Sequence, residues 1–142
     1  MFLFDTDHLI ILKQGMGADF DALAAKLKDQ SAEDLFISIV SFHEQLLGWN
    51  KYLTQAKDQT GLTRGYRQLE NLLHDYSLAQ VLPYDDAAAE LFTELRRQRV
   101  RIGTMDLRIA SIAISNGMAL LTRNTVDFEK VPGLQFEDWT TH

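Results

Sequence analysis

The sequence contains no cysteine among its 142 residues. Disulfides, zinc–thiolate centres and cysteine nucleophiles are excluded together, and the composition fits a reducing cytoplasm. Proline is nearly absent too. Pro83 and Pro132 both fall where an element should stop or start, and no Pro-, Gly- or Ser-rich linker, repeat or low-complexity stretch interrupts the chain. A single domain over residues 1–142 is the expectation. No apolar run approaches the roughly 20 residues of a membrane span. The opening Met1-Phe2-Leu3-Phe4-Asp5 lacks the basic start of a secretion signal, so none is expected. Positive charge is in short supply, with 14 Lys and Arg against 20 Asp and Glu and a formal net charge of -6. That excludes a protein holding nucleic acid by bulk positive charge. It leaves open a nuclease whose acids carry metal.

What is present is an ordinary globular balance, 46% hydrophobic and 24% charged, arranged as short apolar runs alternating with amphipathic stretches. Met1–Phe4, Leu35–Val40, Ala79–Leu82, Met118–Thr122 and Leu134–Phe136 read as strands. Between them, Leu9, Ile10 and Leu12 mark a helix capped by Thr6 or Asp7. Phe20, Leu23, Ala24 and Leu27 mark a second. Ser41 and Glu44 form the S-x-x-E capping pattern of a third, which carries Leu46, Leu47, Trp49 and Tyr52. Gly61 is expected to break the chain before a helix bearing Leu62, Tyr66, Leu69, Leu72, Leu73 and Tyr76. Asp85 or Asp86 caps the next helix, Thr104 the one after, and Asn116-Gly117 ends the latter. The alternation predicts an α/β fold, a mostly parallel central sheet of about five strands with helices on both faces.

In such sheets ligands bind beyond the carboxyl ends of the strands. Asp5 and Asp7 follow the first strand, Glu44 lies one turn past the second, Asp106 opens a helix, and Asn124 and Asp127 follow the strand at 118–122. Taken singly, each acid reads as a helix cap or turn residue. Taken together, they form a carboxylate cluster with no adjacent run of Lys or Arg. Like charges so gathered call for a hard divalent cation, Mg2+ or Mn2+. Such a cation can acidify a water and align it with a phosphodiester. Asp5, Glu44 and Asp106 are the candidate ligands, with Asn124 and Asp127 completing the ring.

These residues are also familiar as a set. The segment Met1–Ile10 resembles the opening strand and acid of the PIN domain, and Ser38–Gly48 is similar to its second motif. Ile102–Ala110 looks like its third. Leu121–Phe128, with Val131–Leu134 and Glu137–Trp139, resembles the fourth motif and tail. Four motifs in order over almost the whole chain resemble the VapC-type toxins of bacterial toxin–antitoxin pairs. The resemblance implies a PIN-like three-layer fold and an endoribonuclease dependent on Mg2+ or Mn2+. It implies action on tRNA or other structured RNA, neutralisation by a cognate VapB-type antitoxin, a homodimer and no membrane association. It carries the metal onto Asp5, Glu44 and Asp106. The fourth position falls on Asn124, where many members have Asp, and Asp127 is placed to supply the missing charge. Thr6, Asp7 and Thr104 are the expected supporting residues around the ligands.

Arg123 and Arg108 are the candidate RNA contacts. Arg96, Arg97 and Arg99 read as a solvated face paired with Glu90 and Glu94. His43 and His74 read as surface or helix-packing histidines, since Leu47 stands where H-E-x-x-H needs its second His. Trp49, Tyr52 and Tyr66 read as core aromatics. Two other functions fit parts of the pattern. Asn124 fits a catalytically weak PIN-like module that binds RNA or a partner. Asp5-Thr6-Asp7 resembles the D-x-D opening of haloacid-dehalogenase-type phosphatases, with Asp5 as nucleophile and Asp7 as acid, although the lysine that chemistry needs is missing.

Overall fold

The structure is a computed structural model and describes residues 1–141. The strands are β1 (Phe2–Phe4), β2 (Leu35–Ser38), β3 (Val81–Leu82), β4 (Ala119–Leu121) and β5 (Phe136–Glu137). They form one sheet of order β3-β2-β1-β4-β5, and every pairing is parallel. The helices are α1 (Thr6–Gln14), α2 (Ala18–Leu27), α3 (Ile39–Gln55), α4 (Gln59–Ser77), α5 (Asp86–Arg97), α6 (Thr104–Ser115) and α7 (Thr125–Phe128). Strand side chains alternate between faces. Leu3 and Leu120 join one core with Leu95, Leu107, Ile112 and Phe128. Phe4 and Leu121 join a second core with Ile11, Leu23, Ile37 and Trp139 on the other face. Three layers result, as expected. Among the described residues no helix is long and apolar enough to cross a membrane.

Several boundaries differ from expectation, and the reasons bear on the site. Ile39 and Val40 are β-branched, yet they form the first turn of α3. Ser38 caps that helix by accepting from the Ser41 amide at 3.0 Å. The Ser41–Glu44 capping pair therefore does not form, and Glu44 is released from backbone duty. Asp5, rather than Thr6 or Asp7, caps α1, accepting from the Thr6 amide at 2.8 Å. Gly103 precedes α6 without a side-chain cap, so Thr104 is the helix's first residue and not its cap. Gly61 lies inside α4, whose cap Asp58 accepts from the Gly61 amide at 2.8 Å. The break comes earlier, at 56–58. Strands β3 and β5 begin two residues later than read, at Val81 and Phe136.

Candidate active site

Because all strands are parallel, their carboxyl ends share one edge of the sheet. The residues just beyond β1 and β4, the two central neighbours, are therefore side by side. Asp5 continues the ladder through its own amide, which donates to the Leu121 carbonyl at 2.8 Å. Its carboxylate is 5% exposed. One oxygen caps α1, and the other accepts from the Thr122 hydroxyl at 2.8 Å. Burial pushes Asp5 up to about 7, the negative charges of Asp7 and Asp106 add to that, and the bonds from Thr122 and Thr6 oppose it.

Glu44, one and a half turns into α3, reaches back across the first helix. Its Oε1 accepts from the Thr6 hydroxyl at 2.9 Å, and Ser41 Oγ lies 3.0 Å from the same hydroxyl. Burial raises the Glu44 carboxyl, against the Thr6 bond, and the charge of Asp106 raises it further. Asp106, in the first turn of α6, is raised by burial and by the charges of Asp127 and Asp7. Asn124 stands between two acids. Its Nδ2 donates to Asp127 Oδ2 at 3.0 Å and lies 3.4 Å from Asp106 Oδ2. Its amide nitrogen donates to the Thr122 hydroxyl at 3.0 Å. Asp127 also meets Lys130 at 3.5 Å. Among the described residues no Lys or Arg pairs with Asp5, Glu44 or Asp106. Nor do any three His, Asp or Glu side chains stand close enough together to enclose an ion as they are placed.

The supporting residues divide. Thr6 touches Glu44. Asp7 Oδ2 accepts from the Arg123 amide at 3.0 Å and lies 3.4 Å from the Thr122 hydroxyl. Thr104 is directed elsewhere, its hydroxyl accepting from Arg96 at 3.0 Å. Arg123 holds Asp19 at 3.2 Å, and Arg108 Nη1 lies 3.6 Å from Met105 Sδ. The Arg97–Glu94 pair forms at 2.6 Å, whereas Arg96 lies over the Phe92 ring instead of reaching Glu90. His43 and His74 are exposed, as read. Trp49 and Tyr52 form an edge-on pair, but Tyr66 is 58% exposed and is no core residue.

Two clefts flank the acids. One of about 820 Å³ runs between α1, α3 and α4 and is walled by Thr6, Glu44, Trp49 and Tyr52. The other, about 460 Å³, is walled by Asp7, Asp19 and Arg123.

Residues 3–134 match the sequence profile of the PIN domain. The chain belongs to the PIN domain family. It is 36% identical over 137 residues to a protein of Rickettsia bellii named ribonuclease VapC, covering 94% of this chain and 92% of that one. It is 44% identical over 68 residues to the tRNA(fMet)-specific endonuclease VapC of Shigella flexneri, covering 45% of this chain and 52% of that protein. Indeed the chain spans about half the length of several of the curated relatives it matches. A DNA-bound VapBC structure from Salmonella typhimurium superposes with a TM-score of 0.69 at 27% identity, over 97% of each chain. Within a PIN domain Asp5 is not read as a phosphatase nucleophile, and its two oxygens are engaged by Thr6 and Thr122.

Sequence reasoning missed His8. It is fully buried and touches both Asp7 and the tail at Trp139. Its only sequence signal is its place directly after Asp7, because the tail contact spans 131 positions.

Proposed function

We propose that this PIN domain is a metal-dependent endoribonuclease of the VapC type, hydrolysing RNA phosphodiesters and neutralised by a VapB-type antitoxin. The observation that carries the proposal is the group Asp5, Glu44 and Asp106. All three bind protons more tightly than ordinary carboxyls, and among the described residues no Lys or Arg pairs with them. An all-oxygen donor set with surplus negative charge fits Mg2+ or Mn2+, so those three residues would hold the ion. Bound there, the cation would lower the pKa of a water and offset the charge of the scissile phosphate.

The chain's own residues do the remaining work. Thr6 fixes the Glu44 carboxylate, Thr122 fixes Asp5, and Asn124 orients Asp106 and Asp127. Arg123, though paired to Asp19, borders the cleft beside Asp7, and Arg108, one turn or less from Asp106 on α6, is the second candidate phosphate contact. Cytoplasmic action and a homodimer belong to the same proposal, as does a tRNA-class substrate, which the name of the Shigella flexneri relative supports. The test is to incubate purified, antitoxin-free protein with tRNA and Mn2+. Cleavage abolished by chelator and by Asp5→Asn is expected. No cleavage under any divalent metal would reject the proposal.

A further inference from the structure

His8 is the one fully buried imidazole among the described residues, and the residue roles above leave it unused. Both of its ring nitrogens are engaged. Nδ1 lies 2.7 Å from Asp7 Oδ1, and Nε2 lies 3.2 Å from the Trp139 amide nitrogen. A backbone N–H only donates, so Nε2 is the acceptor and the ring proton sits on Nδ1. That proton points at Asp7, at a distance typical of a charge-assisted bond. The other Asp7 oxygen accepts from the Arg123 amide at 3.0 Å. Arg123 lies between Thr122, which donates to Asp5, and Asn124, which bridges Asp106 and Asp127. A continuous series of bonds thus runs from the tail backbone through His8 and Asp7 to the turn that carries the site.

We infer that His8 is a positioning residue. The tail amide of Trp139 fixes its tautomer, its Nδ1–H fixes the Asp7 carboxylate, and Asp7 fixes the 122–124 turn against Asp5 and Asp106. Without the donor, the Asp7 carboxylate loses its orientation, and the Arg123 amide loses a fixed acceptor. This rests on the nuclease reading only for its rate measurement.

The experiment compares His8→Asn, which keeps a donor near Nδ1, with His8→Gln, which places an amide oxygen near Nε2 and removes that donor. Both are made in the full chain, and His8→Leu removes both functions. Nitrogen-15 spectra of the wild type are expected to show the Nδ1–H tautomer. His8→Gln and His8→Leu should shift the Arg123 and Asn124 amide resonances and lower kcat about 10- to 100-fold. KM should stay within about threefold. His8→Asn should keep both resonances near wild type and the rate within about fivefold.

A wild-type Nε2–H tautomer overturns the inference. So does the reverse ranking, with His8→Gln better than His8→Asn, which would make His8 merely a fastener of the tail. If His8→Leu does not fold, the Asn and Gln pair decides alone. If the wild type cuts no RNA, the nuclease reading fails, while the tautomer and the two amide resonances still judge His8.

Discussion

The hydroxyl of Thr122 donates to the Asp5 carboxylate at 2.8 Å, joining residues 117 positions apart at the ends of adjacent parallel strands. Register makes this contact. Phe4 faces Leu121 in the β1–β4 ladder, so the next residues on each strand meet beyond it. Thr122→Val should keep the shape and remove the donor. Stability is expected to fall by about 1–3 kcal/mol, because a buried acceptor loses its partner. Asp5 should then hold its proton more tightly, and the pH at which Mn2+ binding half-develops should rise. Calorimetric titration across pH checks both.

Stability should also respond to pH in a direction set by Asp5. Folding raises this carboxyl from 3.8 to about 7. The folded chain therefore holds a proton that the unfolded chain releases between those values. The Asp5 contribution to stability is fully present below pH 4, declines as pH rises to about 7, and is flat above. Urea unfolding of chelated protein at pH 5 and pH 8 should show this loss, and Asp5→Asn should remove it. Mn2+ should stabilise the wild type at pH 8 and do little for Asp5→Asn. A wild-type slope unchanged in Asp5→Asn would assign the effect to other groups.

Asn124→Asp tests the fourth position. The amide that now donates to Asp127 and faces Asp106 would become a third negative charge beside them. In chelator the variant should unfold at lower temperature than wild type, from like-charge repulsion. With Mn2+ the order should reverse, with metal affinity raised about tenfold by the added charge. Equal affinity in both proteins would mean that residue 124 does not face the ion.

Two helical glycines make a stability pair. Gly65 of α4 packs on α3, and a Cβ there would lie 2.5 Å from Leu53 Cδ2 and 3.1 Å from the Tyr52 ring. Gly65→Ala should destabilise by about 1–3 kcal/mol through overpacking. A Cβ on Gly48 of α3 meets nothing within 4 Å. Gly48→Ala should stabilise by about 0.5–1 kcal/mol, from helix propensity. Thermal unfolding of the two variants gives opposite signs if the α3–α4 spacing is as described.

The order of strands and helices was readable because each apolar run and each amphipathic face carries its own period. Asp5 and Asn124 were legible as candidates because they directly follow or nearly follow β1 and β4, and Glu44 and Asp106 because they lie in the opening turns of α3 and α6. The start of α3 was not. Ser38 and Ser41 are both good caps, and Ile39-Val40 favours a strand by local preference, so only tertiary packing chooses Ser38. The Thr104 hydroxyl turned to Arg96 for a similar reason, since the helix start at Gly103 leaves it facing α5. His8 was invisible because its meaning depends on Trp139, which the sequence separates from it and the fold brings to its ring.

The first strand of the chain lies at the middle of the sheet, between β2 and β4. Asp5 gains the Thr122 hydroxyl, 117 positions away in the chain, only when β4 has paired with β1. The carboxylate edge closes only once these parallel strands dock. A topology that makes folding slow through distant contacts also ties assembly of the carboxylate site to completion of the sheet.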